Sequence, residues 1–163
     1  MKKKIKIHIR NNHWKEGFLP CDQEGEKHST ITKEEFEKGL NQYPEIKDKI
    51  EYLVDWDEDN YLSSMKEADI LLGWQFPTKN IREIAPNLKW IHIISAGVNH
   101  LSPFHWMKDK LVLTNSSGVH AKKAGEFGLM SILMLQNQMT KIVTNQKNKE
   151  FVTLLSKPIE GFK

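Results

Sequence analysis

Apolar residues fall along the chain in short runs, and the spacing within each run shows which element it can form. Ile5-Lys6-Ile7-His8-Ile9 alternates apolar with polar and predicts a first strand. Asn11 to Thr32 is polar and irregular, with Pro20 and Gly25 as breakers, and reads as a loop. Thr32-Lys33-Glu34-Glu35 has the residues of a helix cap and capping box; Phe36, Leu40 and Tyr43 follow at helical spacing, and Pro44 is expected to stop that helix. Ile50 to Trp56 predicts a strand, Asp57 to Met65 a helix with acids in its first turn, and Asp69 to Trp74 another strand. Pro77 to Ala85 predicts a short helix ended by Pro86. Two more strand-like runs follow, Trp90 to Ile94 and Leu111 to Thr114. Strands alternating with helices, with near-continuous apolar strands, predict an α/β fold whose parallel sheet carries helices on both faces. Right-handed crossovers favour a flavodoxin-like order, with ligand sites just outside the carboxyl ends of the strands.

The last apolar segment is of a different kind. From Val119 to Met139, Phe127, Leu129, Met130, Ile132, Leu133, Met134 and Leu135 spread round nearly the whole circumference of one predicted helix. A helix apolar on all sides has to be covered on all sides. Lys141 onward is polar and basic and reads as a surface helix or frayed tail. The continuous run Phe127 to Leu135 is far short of the ~20 residues a membrane span requires, and the amino terminus lacks the apolar core of a signal peptide.

Chemistry is expected at the turns that close the strands. Ser95-Ala96-Gly97-Val98 closes the run at Ile94, and Asn115-Ser116-Ser117-Gly118-Val119-His120 closes the run at Thr114. Side chains this small let backbone N–H groups approach an anion, and Gly97 can adopt backbone angles denied to other residues. These features point to carboxylate or phosphate chemistry. Trp74 follows a strand in the same way and either faces a ligand or packs a loop onto the core.

Composition narrows the picture a little. With 163 residues, 39% hydrophobic and 28% charged, the chain holds one domain with a real core and a remnant of a second. A net charge of +3, with no basic stripe interleaved with aromatics, argues against nucleic acid. Cys21 is the only cysteine, so no intrachain disulfide can form and a cytoplasmic home is expected. Seven histidines invite a metal reading, but neither His100 with His105 nor His8 with His13 has a zinc-ligand spacing. His92 on an apolar strand reads as a hydrogen-bonded core residue, and Glu126 as a first-turn acid offsetting the helix dipole. Ser95 and Ser116 have no nucleophile elbow around them.

The stretch LKWIHIISAGVNHL, followed by LTNSSGVHAKKAGEFGLMSILML, resembles the D-isomer-specific 2-hydroxyacid dehydrogenases, especially members that reduce glyoxylate and hydroxypyruvate. The likeness is close from about Ala68 to Met139. It implies that the Gly97 and Val98 amides, with Ala96 beside them, hold a substrate carboxylate; Trp74 stays a candidate substrate contact through its place after a strand, beside the reading that it packs a loop. It implies that Val119 and His120 lie near a nicotinamide, at the crossing into a cofactor domain. Residues 1–111 would then form the substrate-binding domain, and 112–163 the hinge and first long apolar helix of a truncated Rossmann domain. The family's Arg, Glu and His catalysts belong to a later region, so no catalytic residue is assigned, and no G-x-G-x-x-G turn occurs in the chain. Asn99 stands where the family usually has Asp, and Ala124-Gly125 where a bulkier pair is usual.

The function so implied is the substrate-binding portion of an NAD- or NADP-dependent reductase of small 2-oxo acids. It would be inactive alone and would dimerise through the apolar helix, with no metal, membrane or nucleic-acid partner. The alternative is a non-enzymatic flavodoxin-like module that binds small anions or a protein partner.

Overall fold

The computed structural model describes residues 4–13, 27, 29–57 and 59–159. Cys21, Pro20 and Gly25, and with them most of the expected polar loop, lie outside the described residues. The chain divides into two compact units, Met1–Ser117 and Gly118–Lys163.

The first unit is built on a five-stranded sheet in the order β2-β1-β3-β4-β5. Its strands are β1 (Ile5–Asn11), β2 (Ile50–Trp56), β3 (Ile70–Gly73), β4 (Trp90–Ile93) and β5 (Val112–Asn115). All four pairings are parallel, and the register sets Arg10, Gly73, Ile93 and Asn115 in one row at the carboxyl ends. The pleat sends His8, Leu71, Ile91 and Leu113 to one face and Ile7, Ile70, Trp90 and Val112 to the other. The first face holds the core, where Leu71, Ile91 and Ile93 are sealed by Tyr61 and Met65 of α3 (Tyr61–Met65) and Ile81 of α4 (Ile81–Ile84). The second face is covered over β1 and β2 by α1 (Lys33–Leu40), where the Phe36 ring packs tilted against Tyr52, 4.7 Å between centroids. An apolar cleft of about 610 Å³ runs from Phe36 and Leu40 past Ile7 and Ile70 to Trp90. Toward the β5 edge this face opens, and Val112 is 53% exposed.

Several expectations about elements change. The Thr32–Glu35 capping box is present in full, but Pro44 does not simply end the helix: it starts α2 (Pro44–Lys47), because its fixed φ suits the first turn. The acids after Trp56 do not begin a helix. Asp57 is left-handed at φ 43 and turns the chain, so α3 starts only at Tyr61 with no acid in its first turn. Two 3-10 turns, Asn99–Leu101 and Phe104–Trp106, went unforeseen.

In the second unit, the apolar run expected as one helix from Val119 to Met139 is shorter. It forms α5 (Ala121–Gln136), which ends because Gln138 is left-handed at φ 54, and α6 (Met139–Asn148) follows. Glu126 stands beyond the first turn of α5 and pairs with Lys123 at 3.2 Å, so it does not offset the helix dipole. No residue of α5 is buried, and Phe127 and Leu135 are 62% and 71% exposed.

Candidate functional site

The strand exits at the carboxyl edge of the sheet are joined to one another by hydrogen bonds. Arg10, at the end of β1, donates from Nε to the Asp57 carbonyl (2.6 Å) and from Nη1 to the Gln75 carbonyl, so it straps the loops after β2 and β3 to its own strand. Its guanidinium also lies 5.5 Å from the centre of the Tyr61 ring. Asn12 repeats the pattern: its Oδ1 accepts from the Gln75 amide at 3.2 Å and its Nδ2 donates to Asp57 Oδ1 at 3.4 Å. His100 Nε2 lies 2.8 Å from the Trp74 carbonyl, linking the exits of β3 and β4. The Ser116 amide donates to the Ser95 carbonyl at 3.0 Å, linking β4 to β5. The reversal of strand order falls at β1, where an α/β sheet leaves a crevice for ligands.

The turn after β4 has the expected small-residue character. Ser95 Oγ donates to the Gly97 carbonyl at 2.7 Å and fixes the turn, while the Gly97 and Val98 amides donate to no acceptor among the described residues. Ala96 and Gly97 are exposed and Val98 is half-buried. One expectation needs correcting. Gly97 is not in the left-handed region, and a Cβ built on it meets nothing within 4 Å, so small size, not backbone freedom, is what it contributes. Among the described residues the glycine with left-handed backbone is Gly118, at φ 89. Gly73, at the end of β3, is required sterically, because a Cβ there would stand 2.6 Å from the Arg10 carbonyl oxygen.

Trp74 is half-buried and meets the β4 exit through its backbone, by the His100 contact. His92 is half-buried between two hydroxyls, with Nδ1 2.9 Å from Thr114 Oγ1 and Nε2 3.3 Å from Ser116 Oγ. Burial pushes its pKa down, in keeping with a neutral, hydrogen-bonded residue of the sheet. Val119 and His120 belong to the second unit. Val119 is 65% exposed, and His120 sits at the cap position of α5 without a side-chain hydrogen bond to it.

Sequence reasoning missed the cluster at the β1 and β2 exits. His13 Nδ1 lies 2.6 Å from Asp57 Oδ2, its backbone amide donates to the same carboxylate, and its ring stacks on Trp56 at 4.4 Å. Burial pushes the Asp57 carboxyl up, but the bonds from His13 and Asn12 outweigh it and hold the group below the usual carboxylate value. The one available signal was the change from alternation in Ile5–Ile9 to four polar residues, Arg10 to His13.

A family model described as "D-isomer specific 2-hydroxyacid dehydrogenase, catalytic domain" matches residues 28–155, most of the chain. The chain belongs to this family. Among solved structures, a 2-hydroxyacid dehydrogenase family protein from Aeromonas salmonicida subsp. salmonicida A449 aligns with a TM-score of 0.64 at 17% identity, over 96% of this chain and 44% of that one. A relative from Klebsiella pneumoniae 342 gives 0.58 at 15% identity, over 99% of this chain and 44% of its own. A probable 2-hydroxyacid dehydrogenase from Rhizobium etli CFN 42, solved with NADP, HEPES and L(+)-tartaric acid, gives 0.59 at 17% identity, over 94% and 42%. No curated protein matches the chain. This dehydrogenase-family chain therefore spans less than half the length of the solved structures it matches, and at these identities they establish its fold.

The residues present do not form a dinucleotide cradle. No Gly-rich strand-to-helix turn precedes α5, and Gly118, Val119 and His120 bring a single glycine to that position. Among the described residues no group of three His, Cys, Asp or Glu could hold a metal, and no helix is long and apolar enough to cross a membrane.

Proposed function

We propose that the chain is the substrate-binding portion of an NAD(P)-dependent D-2-hydroxyacid dehydrogenase acting on small 2-oxo acids of the glyoxylate and hydroxypyruvate class. The observation that carries this reading is the pair of amides at Gly97 and Val98, which donate to nothing else among the described residues and stand at the carboxyl edge of β4. Two backbone donors held by a fixed turn suit a carboxylate, with charge-assisted bonds that need no side chain. Ala96 keeps the approach open, and Trp74, one strand away, forms a wall of the same crevice. Residues 1–111 would be the substrate-binding domain, and the remainder the hinge and beginning of a cofactor domain in which Val119 and His120 approach the nicotinamide.

Hydride transfer is not expected of this chain by itself, because its residues supply neither a dinucleotide cradle nor an assigned proton donor. In this reading α5 is a subunit interface, since its apolar residues lie exposed along the whole helix.

The test is an NMR titration with oxalate, an unreactive mimic of a 2-oxo acid. The Gly97 and Val98 amide signals should shift on binding, and Val98→Ala, which keeps the amide, should bind as the natural chain does. Gly97→Pro removes one charge-assisted donor and should weaken binding at least tenfold. Equal affinity in a folded Gly97→Pro variant would sink the carboxylate assignment. Oxidation of NADH or NADPH by the chain with hydroxypyruvate would overturn the statement that it is inactive alone.

A further inference from the structure

His92 lies between a strand pair and a turn, and its two ring nitrogens serve different ends. Nδ1 meets Thr114 Oγ1 at 2.9 Å, inside the ladder, where His92 and Thr114 face each other across β4 and β5. Nε2 reaches past the end of β5 to Ser116 Oγ, 3.3 Å away. The tautomer follows from the neighbours. Trp90 Nε1 can only donate, and it donates to Thr114 Oγ1 at 2.8 Å, which leaves the Thr114 proton for Nδ1. The proton of the neutral ring is then on Nε2, directed at Ser116, whose hydroxyl donates to the Ile93 carbonyl at 3.4 Å. The opposite tautomer would keep three of these four bonds, since Ser116 would have to turn from Ile93 to the ring.

The bond to Ser116 does more than hold a strand pair together. A cross-strand contact acts within the ladder, whereas Ser116 stands in the turn beyond it. From there the Ser116 amide donates to the Ser95 carbonyl at 3.0 Å, and Ser95 Oγ donates to the Gly97 carbonyl at 2.7 Å. The Gly97 carbonyl and the Val98 amide are the two ends of one planar peptide, so fixing the first aims the second. A hydrogen bond accepted by the carbonyl also polarises that peptide and makes its N–H a better donor. His92 is thus joined to the Val98 amide through Ser116 and Ser95, by hydrogen bonds of 3.3, 3.0 and 2.7 Å in turn.

We propose that His92 is a positioning residue for anion binding: its Nε2 proton holds Ser116 and, through Ser95, keeps the Val98 amide aimed at the substrate carboxylate. This rests on the carboxylate reading at Gly97 and Val98. The test combines the nitrogen NMR signals of the His92 ring with oxalate affinity, followed at the Gly97 and Val98 amides. The ring should carry its proton on Nε2. His92→Leu should weaken oxalate binding about fivefold, the effect of one hydrogen bond, and Ser116→Ala should weaken it by a similar factor. His92→Gln places an N–H near the position of Nε2 and should restore affinity to within about twofold of the natural chain.

The double change of His92→Leu with Ser116→Ala should bind oxalate no more weakly than either single change, because both break the same link. A purely structural role would lower the thermal midpoint of His92→Leu and leave oxalate affinity at its natural value, and that result overturns the proposal. Additive losses in the double variant, a ring proton on Nδ1, or a loss in His92→Gln equal to that in His92→Leu overturn it as well. Should His92→Leu fail to fold, unchanged affinity in folded Ser116→Ala decides against it. Gly97→Pro separates the two readings: where it weakens oxalate binding and the changes at His92 and Ser116 do not, the carboxylate site stands and the positioning role falls. If the natural chain binds no oxalate, the carboxylate reading falls, and this inference falls with it.

Discussion

Gly73 and His8 show how much one position of the sheet can carry. A methyl group at residue 73 would press on the Arg10 carbonyl oxygen, which belongs to a paired strand and cannot swing aside. Gly73→Ala should therefore destabilise the first unit by about 1–3 kcal/mol, read as a lower denaturant midpoint with an unchanged slope. His8 is only 1% exposed, and neither ring nitrogen has a hydrogen-bond partner among the described residues; Asp55 Oδ2 is 3.8 Å from Nε2, too far for a hydrogen bond. Burial lowers the His8 pKa, Asp55 works against that, and Arg10 adds to it. A folded-state pKa below the unfolded value means that the unfolded chain binds the proton more readily. The stabilising contribution is complete above about pH 6.5 and is lost as pH falls below it. Thermal melts should show a midpoint that drops from pH 7.5 to 5.5, and His8→Leu should flatten that dependence while leaving stability at neutral pH equal or higher, since two unsatisfied nitrogens are removed. A His8→Leu melt with the same pH slope would assign the effect to another group.

At the scale of elements, the strands were the most legible part of the chain. Ile50–Trp56 was read to its last residue, because a β-branched run bounded by polar residues leaves few alternatives. The helix at Lys33 was legible for another reason: Thr32 and Glu35 satisfy each other's backbone amides within four residues of sequence. Thr32→Ala should cost about 1 kcal/mol, measured by denaturant unfolding, and an unchanged midpoint would show that α1 is held by Phe36 and Leu40 alone. Misreadings arose where long-range contacts override the local pattern. Asp57 looked like a first-turn helix acid, but its carbonyl is held by Arg10, 47 residues away, and its carboxylate by His13, 44 residues away. The turn at Gly97 was legible from its small residues. The Arg10, Asn12 and His13 cluster was not, because its partners lie on other strands and only the sheet order brings them together.

For the whole molecule, the division at Ser117 separates a unit with its own core from one whose main helix buries no residue. Apolar surface on this scale needs a cover. If α5 is a subunit interface, the chain should sediment as a dimer, and changing both Phe127 and Leu135 to Glu should weaken association at least tenfold. A chain that sediments as a monomer at high micromolar concentration would remove the interface.

The order of the sheet also governs how the protein can be made. In the sheet β2 neighbours β1, β3 lies on the other side of β1, and β4 and β5 each lie beside the strand that precedes them in the chain. Every strand thus finds its template already synthesised, so the sheet can grow outward while the chain is still leaving the ribosome. The residues of the β1 and β2 exits, where His13 and Asp57 meet, leave the ribosome before those of the β4 turn.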